Sequence, residues 1–146
     1  MAKTLITDRP EERIKTMLVC KFGGSSLADA EQFKKVREIV MADKNRRYVV
    51  PSAPGKRGDG DEKVTDLLYR CYELAEADQD FTRALQEIKA RYDEIIEGLG
   101  LSITLDEEFA VIRDQFHDIA GSDYAASRGE YLNGKIMAAY LGYEFI

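Results

Sequence analysis

Apolar positions along the chain follow two rhythms. Met17-Leu18-Val19-Cys20 and Tyr48-Val49-Val50 are short continuous apolar runs bounded by polar or turn residues, which predicts strands over 17–21 and 48–50. Between them, Ala30, Phe33, Val36 and Val40 recur at helical spacing and predict a helix over 29–42, with Asp29 and Gln32 as its N-cap pair. Leu67, Leu68, Cys71, Leu74 and Ala75 predict a second helix from 64 or 65 to 76. Two more apolar stripes follow, Leu85-Ile88-Tyr92-Ile95-Leu99 and Leu105-Phe109-Ile112-Phe116-Ile119. Gly98 and Gly100 separate them, so an antiparallel helix pair is expected. A last helix is predicted from 127 to 141, ended by Gly142, and the largely apolar residues 143–146 predict a third strand. The segment 56–63, rich in Gly, Asp and Lys, reads as an exposed, mobile loop.

Strands joined through helices pair in parallel, which places the chain in the α/β class. Three short strands are few for five helices to cover, and the chain runs out inside an apolar segment. The expectation is therefore a fragment whose remaining sheet lies in further sequence. The 146 residues are 45% apolar and carry a net charge of −6, with no basic stripe, which argues against nucleic acid as a partner. Any bound anion must then be held by a local positive site. No apolar run approaches the length of about 18 residues that a membrane helix needs. Residues 1–15 read as a poorly ordered leader without the features of a secretory or mitochondrial address. Cys20 and Cys71 lack metal-ligand spacing and read as reduced thiols of a cytoplasmic protein.

The chemistry concentrates at Lys21-Phe22-Gly23-Gly24-Ser25-Ser26, between the first strand and the first helix. Paired glycines let backbone approach an anion closely, and turn amides with a helix N-terminus aim positive partial charge at it. Lys21 adds a full charge, so a phosphate-handling site is one reading and a tight connection with a solvated lysine is the other. Neither a G-x-G-x-x-G nor a P-loop pattern is present.

Ser52-Ala53-Pro54-Gly55 follows the second strand at the same end of a parallel sheet, where open α/β folds bind ligands. It also reads as a plain Pro-Gly turn. Thr65 is either a helix cap or a cleft hydroxyl. Ser127-Arg128-Gly129-Glu130 fits a capping box, S-x-x-E, or a functional motif. Gly129 inside a helix costs about 1 kcal/mol against alanine, which suggests that something packs close to the backbone there. His117, the sole histidine, reads as a surface residue. The acidic runs Asp59-Gly60-Asp61-Glu62 and Asp106-Glu107-Glu108 read as a solvated loop and a helix N-terminus, so no metal site is assigned.

Three separated motifs together resemble the aspartate kinases of the amino-acid kinase superfamily: Lys21–Ser26, then Val49-Val50-Pro51-Ser52-Ala53-Pro54-Gly55 with Val64-Thr65-Asp66-Leu67-Leu68, then Ser127-Arg128-Gly129-Glu130. The resemblance implies a three-layer α/β/α sandwich, of which residues 16–146 are the N-terminal portion with a helical insertion at about 80–122. It implies ATP with Mg²⁺ as phosphoryl donor and L-aspartate as acceptor, on the route to lysine, threonine and methionine. Lys21 would be the catalytic, phosphate-binding cation. Phe22, Gly23, Gly24, Ser25 and Ser26 would complete the phosphate pocket. Thr65 and Glu130 would contact aspartate, Glu130 through the α-amino group, with Ser52 in the same cleft. A homo-oligomer is expected for the full-length protein.

Such chemistry needs no general base, because a carboxylate is already nucleophilic at neutral pH. It needs two anions aligned and positive charge on the phosphoryl oxygens. The family's later G-R-G-G-S-D motif, its nucleotide-binding half and its regulatory ACT domains are missing, and Gly121-Ser122-Asp123 is not that motif. Inactivity of the isolated chain is therefore expected. The alternatives are a sibling kinase acting on another carboxylate or carbamate, and a non-catalytic binding or assembly module.

Overall fold

The computed structural model describes residues 17–118 and 121–146; the expected leader and Ile119 lie outside them. β1 (Leu18–Phe22) leads into a 3₁₀ turn over Gly24–Leu27 and then α1 (Ala30–Met41). β2 (Arg46–Pro51) follows, and α2 (Val64–Glu76), α3 (Thr82–Gly98), α4 (Asp106–His117) and α5 (Ser122–Leu141) complete the described elements. The Gln32 amide donates to Asp29 Oδ1 at 2.9 Å, so the expected cap of α1 is formed.

β1 and β2 pair in parallel, with Cys20 opposite Val49, Lys21 opposite Val50 and Phe22 opposite Pro51. The crossover through α1 makes this a β–α–β unit and brings the carboxyl ends of both strands side by side. Strand alternation directs Cys20, Phe22 and Val49 toward the helices, while Val19, Tyr48 and Val50 are exposed on the opposite face. β2 runs longer than the apolar run alone predicts, because the ladder takes in Arg46 and Pro51.

α2 lies centrally, packed on both α5 and α3. Val64, Leu67, Leu68 and Cys71 of α2 meet Leu132, Ile136 and Met137 of α5 and Ile88, Tyr92 and Ile95 of α3 in one continuous core. Phe33, Val36 and Val40 anchor α1 to it, and Phe109, Ile112 and Phe116 anchor α4. Each such side chain contributes about 1.5–3 kcal/mol when fully buried. Leu74, Ala75 and Leu99, expected on the buried stripes, are only half-buried.

Three expectations need correction. Residues 143–146 form no strand: a strand exists only through a ladder partner, and none of the described residues pairs with this segment. The Tyr143 hydroxyl instead donates to the Arg46 carbonyl at 3.3 Å, and the Phe145 ring stacks edge-on against Tyr131. Ser127 caps nothing, because α5 begins at Ser122. Tyr124 packs edge-on against Phe116 and Ala125 is fully buried, which extends the helix backward; Ser127 Oγ donates to the Tyr124 carbonyl within it. Nor does Thr65 cap α2, whose N-cap is Lys63 and whose Val64 amide donates to the Pro54 carbonyl at 3.1 Å.

Candidate active site

The turns that follow β1 and β2 touch backbone to backbone. The Ser52 amide donates to the Phe22 carbonyl at 3.0 Å, and the Gly55 amide donates to the Gly24 carbonyl at 2.8 Å. A Cβ on Gly24 would stand 2.9 Å from the Ala53 oxygen, and one on Gly55 would stand 2.6 Å from the Gly24 carbonyl carbon. Only glycine fits at either position, so the pairing of Gly24 with Gly55 is what lets the two turns close on each other.

A cleft of about 540 Å³ opens beside this contact, lined by Gly24, Ser25, Ser52, Ala53, Pro54, Gly55, Lys56, Lys63, Thr65 and Glu130. Of the expected site residues, Gly24, Ser25, Ser52, Thr65 and Glu130 share this wall. Lys21 is exposed on β1 opposite Val50, beyond the cleft lining. Phe22 is half-buried against the core, and Gly23 and Ser26 stand in the turn without lining the cleft. A larger groove of about 970 Å³ runs between β2 and α5, mostly apolar, and Glu130 stands where it meets the cleft.

α5 supplies three adjacent features. Gly129 faces the loop after β2, where its missing Cβ would lie 2.7 Å from Ala53 Cβ and 3.3 Å from Leu68 Cδ1. The close approach expected from a helical glycine is present. Glu130 projects into the cleft and is exposed. Asn133, fully buried, donates through Nδ2 to the Ser52 carbonyl at 2.7 Å, while its Oδ1 is buried with no partner among the described residues. The buried Tyr92 hydroxyl donates to the Gly129 carbonyl at 2.7 Å, and burial pushes its ionisation upward.

The sequence pattern alone missed Lys56, Lys63, Asn133 and Arg91. Lys56 directly follows the Ser-Ala-Pro-Gly run, a signal that could have marked it. Arg91 of α3 is 5% exposed, and its guanidinium donates to the carbonyls of Gly55 at 2.7 Å and Glu62 at 2.8 Å. Its burial lowers its affinity for a proton, with Arg57 nearby acting in the same direction. Asp61 approaches Arg91 at 3.5 Å and accepts from Arg57 Nε and Nη2, each at 2.9 Å. The Arg57 bonds hold the Asp61 carboxyl far below the usual carboxylate range. Segment 56–63 is thus exposed as expected, yet fastened rather than loose. His117 is exposed at the end of α4 with its ring 4.9 Å from that of Phe81.

The lining offers two ammonium groups, glycine-turn backbone and three hydroxyls beside one carboxylate. That donor set suits an anion carrying an amine more than a bare metal ion. Among the described residues no group of three His, Cys, Asp or Glu side chains is placed to hold a metal, and no helix is long and apolar enough to cross a membrane.

Comparison with known proteins agrees with this architecture. Aspartokinase 3 of Bacillus subtilis is 38% identical over 137 residues, covering 88% of this chain and 30% of that enzyme. The crystal structure of Clostridium acetobutylicum aspartate kinase superposes with a TM-score of 0.87 at 48% identity, over 90% of this chain and 30% of that one. Escherichia coli aspartokinase III, solved in complex with aspartate and ADP, gives a TM-score of 0.64 at 26% identity over 86% of this chain and 29% of its own. The chain therefore spans about 30% of the length of the relatives it matches. The expected α/β fold of the amino-acid kinase type and the resemblance to aspartate kinases both hold. With residues 16–144 matching the Amino acid kinase family, the chain belongs to that family.

Proposed function

We propose that this chain is the phosphate-gripping and aspartate-positioning part of an enzyme that phosphorylates the side-chain carboxylate of L-aspartate with ATP. The product is 4-phospho-L-aspartate, the first step toward lysine, threonine and methionine. The observation that carries the reading is the convergence of the Gly24 turn, Ser52, Thr65 and Glu130 on one cleft. The aspartate and ADP bound to the E. coli relative support it.

In this reading the aspartate carboxylate oxygen bonds to the γ-phosphorus as the bond to the ADP oxygen breaks. Glu130 accepts hydrogen bonds from the α-ammonium group, and Thr65 orients the substrate by its hydroxyl. Backbone amides of the glycine turn, with Lys56 and Lys63, offset charge on the phosphoryl oxygens, and Lys21 reaches them from the adjoining strand end. Magnesium, entering as part of the MgATP substrate, would neutralise part of the charge on the nucleotide phosphates. The 146-residue chain alone is proposed to be inactive, since it spans 30% of the B. subtilis relative.

The test is trapping of the acyl phosphate with hydroxylamine, on the intact gene product with L-aspartate and MgATP, beside Lys21→Ala and Glu130→Ala. Product that requires aspartate and disappears in both variants is the expected result. Product with a different carboxylate only would move the function to a sibling kinase. No product from a folded protein across a panel of carboxylates would leave a binding module.

A further inference from the structure

The side chain that fixes the cleft floor comes from outside the three motifs. Arg91 lies in α3, within the segment expected as a helical insertion, and is 5% exposed. Its guanidinium bridges the carbonyls of Gly55 and Glu62, the two ends of an otherwise exposed loop. A planar fork with fixed N–H directions can hold two carbonyls at once, which a flexible ammonium does less well. Gly55 is also the residue whose amide donates to Gly24. The Gly55 carbonyl and amide are thereby both fixed, and the chain Arg91–Gly55–Gly24 runs from α3 to the glycine turn. In a trans peptide the Lys56 N–H points opposite to the Gly55 carbonyl, so Arg91 also sets the direction of the amide next to the cleft.

We propose that Arg91 is a positioning residue for the phosphate side of this cleft. It holds the Gly24–Gly55 contact and the Lys56 amide in place for the nucleotide without touching it. The kinetic part of this proposal rests on the ATP-dependent reading above; the geometric part does not.

The experiment uses the intact gene product with Arg91→Met and Arg91→Lys. Arg83→Met, on the exposed face of the same helix, is the control. Two readouts are taken: KM and kcat in the trapping assay, and amide hydrogen exchange at Ser52, Gly55 and Val64. In Arg91→Met, KM for MgATP rises about tenfold, equal to about 1.4 kcal/mol. KM for aspartate changes less, and Arg91→Lys falls between Met and wild type. Exchange at Gly55 and Val64 accelerates about tenfold or more. Ser52 keeps its protection, because β1 and Asn133 hold it independently. A lower melting temperature with unchanged KM and unchanged exchange at Gly55 would make Arg91 merely structural and overturn the proposal. If wild type yields no aspartate-dependent product, the functional reading fails instead. Exchange at Gly55 then still decides whether Arg91 sets the loop: acceleration upholds it, and parity with wild type ends it.

Discussion

Gly129→Ala sets helix propensity directly against packing. In the interior of α5 an alanine is worth about 1 kcal/mol over glycine. Against that gain, its Cβ would stand 2.7 Å from Ala53 Cβ, 3.3 Å from Leu68 Cδ1 and 3.6 Å from Val64 Cγ1. Carbon atoms settle at about 3.5–4.0 Å, so the Ala53 contact must open by about 1 Å. Leu68 can yield by a rotamer change, but the Ala53 methyl moves only with its backbone. That backbone is tied on both sides, by Ser52 to Phe22 and Asn133, and by Gly55 to Gly24. Overpacking of this kind costs about 1–3 kcal/mol, which exceeds the helical gain and leaves a net loss of about 1 kcal/mol. Urea unfolding of wild type, Gly129→Ala, Ala53→Gly and the double variant closes a thermodynamic cycle. Removing the Ala53 methyl should relieve the clash, giving a favourable coupling of at least about 1 kcal/mol. A Gly129→Ala protein more stable than wild type by the full helical gain, with no coupling to position 53, would refute the packing argument.

Three other outcomes follow from the same interior. Asp61 is depressed in the folded state, so its contribution is present above its ordinary value of 3.8 and is lost as pH falls below it. Thermal melts should therefore show the deficit of Asp61→Asn in full near neutral pH and shrinking below about pH 4, where the unfolded wild-type chain takes up a proton at this site while the folded carboxylate still resists it. Tyr92→Phe removes the 2.7 Å bond to the Gly129 carbonyl and should cost about 1 kcal/mol in urea unfolding, while a loss near zero would mean that the bond is not formed in solution. Burial pushes the Cys71 thiol up to about 12 and leaves it no exposed surface, so a thiol reagent at neutral pH should modify Cys20 first and Cys71 only on unfolding. Equal rates at the two cysteines under native conditions would contradict that order.

Much of this fold is legible in the chain because its elements carry their own rhythm. Phe33, Val36 and Val40 announce α1, and Asp29 marks its start with a side chain that does the capping. The start of α5 is hidden because Ser122 through Ala126 show no apolar stripe. They are helical through contacts made elsewhere, Tyr124 on Phe116 and the Arg128 guanidinium between the Tyr124 and Tyr131 rings at 4.6 and 4.7 Å. A serine three residues before a glutamate mimics a cap wherever it falls, and Ser127 falls inside the helix. Gly24, Ser25 and Ser52 could be gathered from their place after parallel strands, since topology puts those ends together, whereas only the family resemblance brings Thr65 and Glu130 to the same cleft. Arg91 could not, for its partners lie 29 and 36 residues away and an arginine in a helix otherwise reads as solvated.

The turn of α5 that bears Glu130 separates scaffolding from the cleft-facing side chain. Gly129 and Asn133 on either side are buried and bonded to neighbouring elements, whereas Glu130 is exposed and none of the core depends on it. An exposed position of that kind changes stability by no more than about 0.5 kcal/mol when substituted. On the proposed role of Glu130, the choice of small molecule could then drift at position 130 while the frame stays still. Such an arrangement gives an enzyme room to acquire a new acceptor without first surviving a weakened fold.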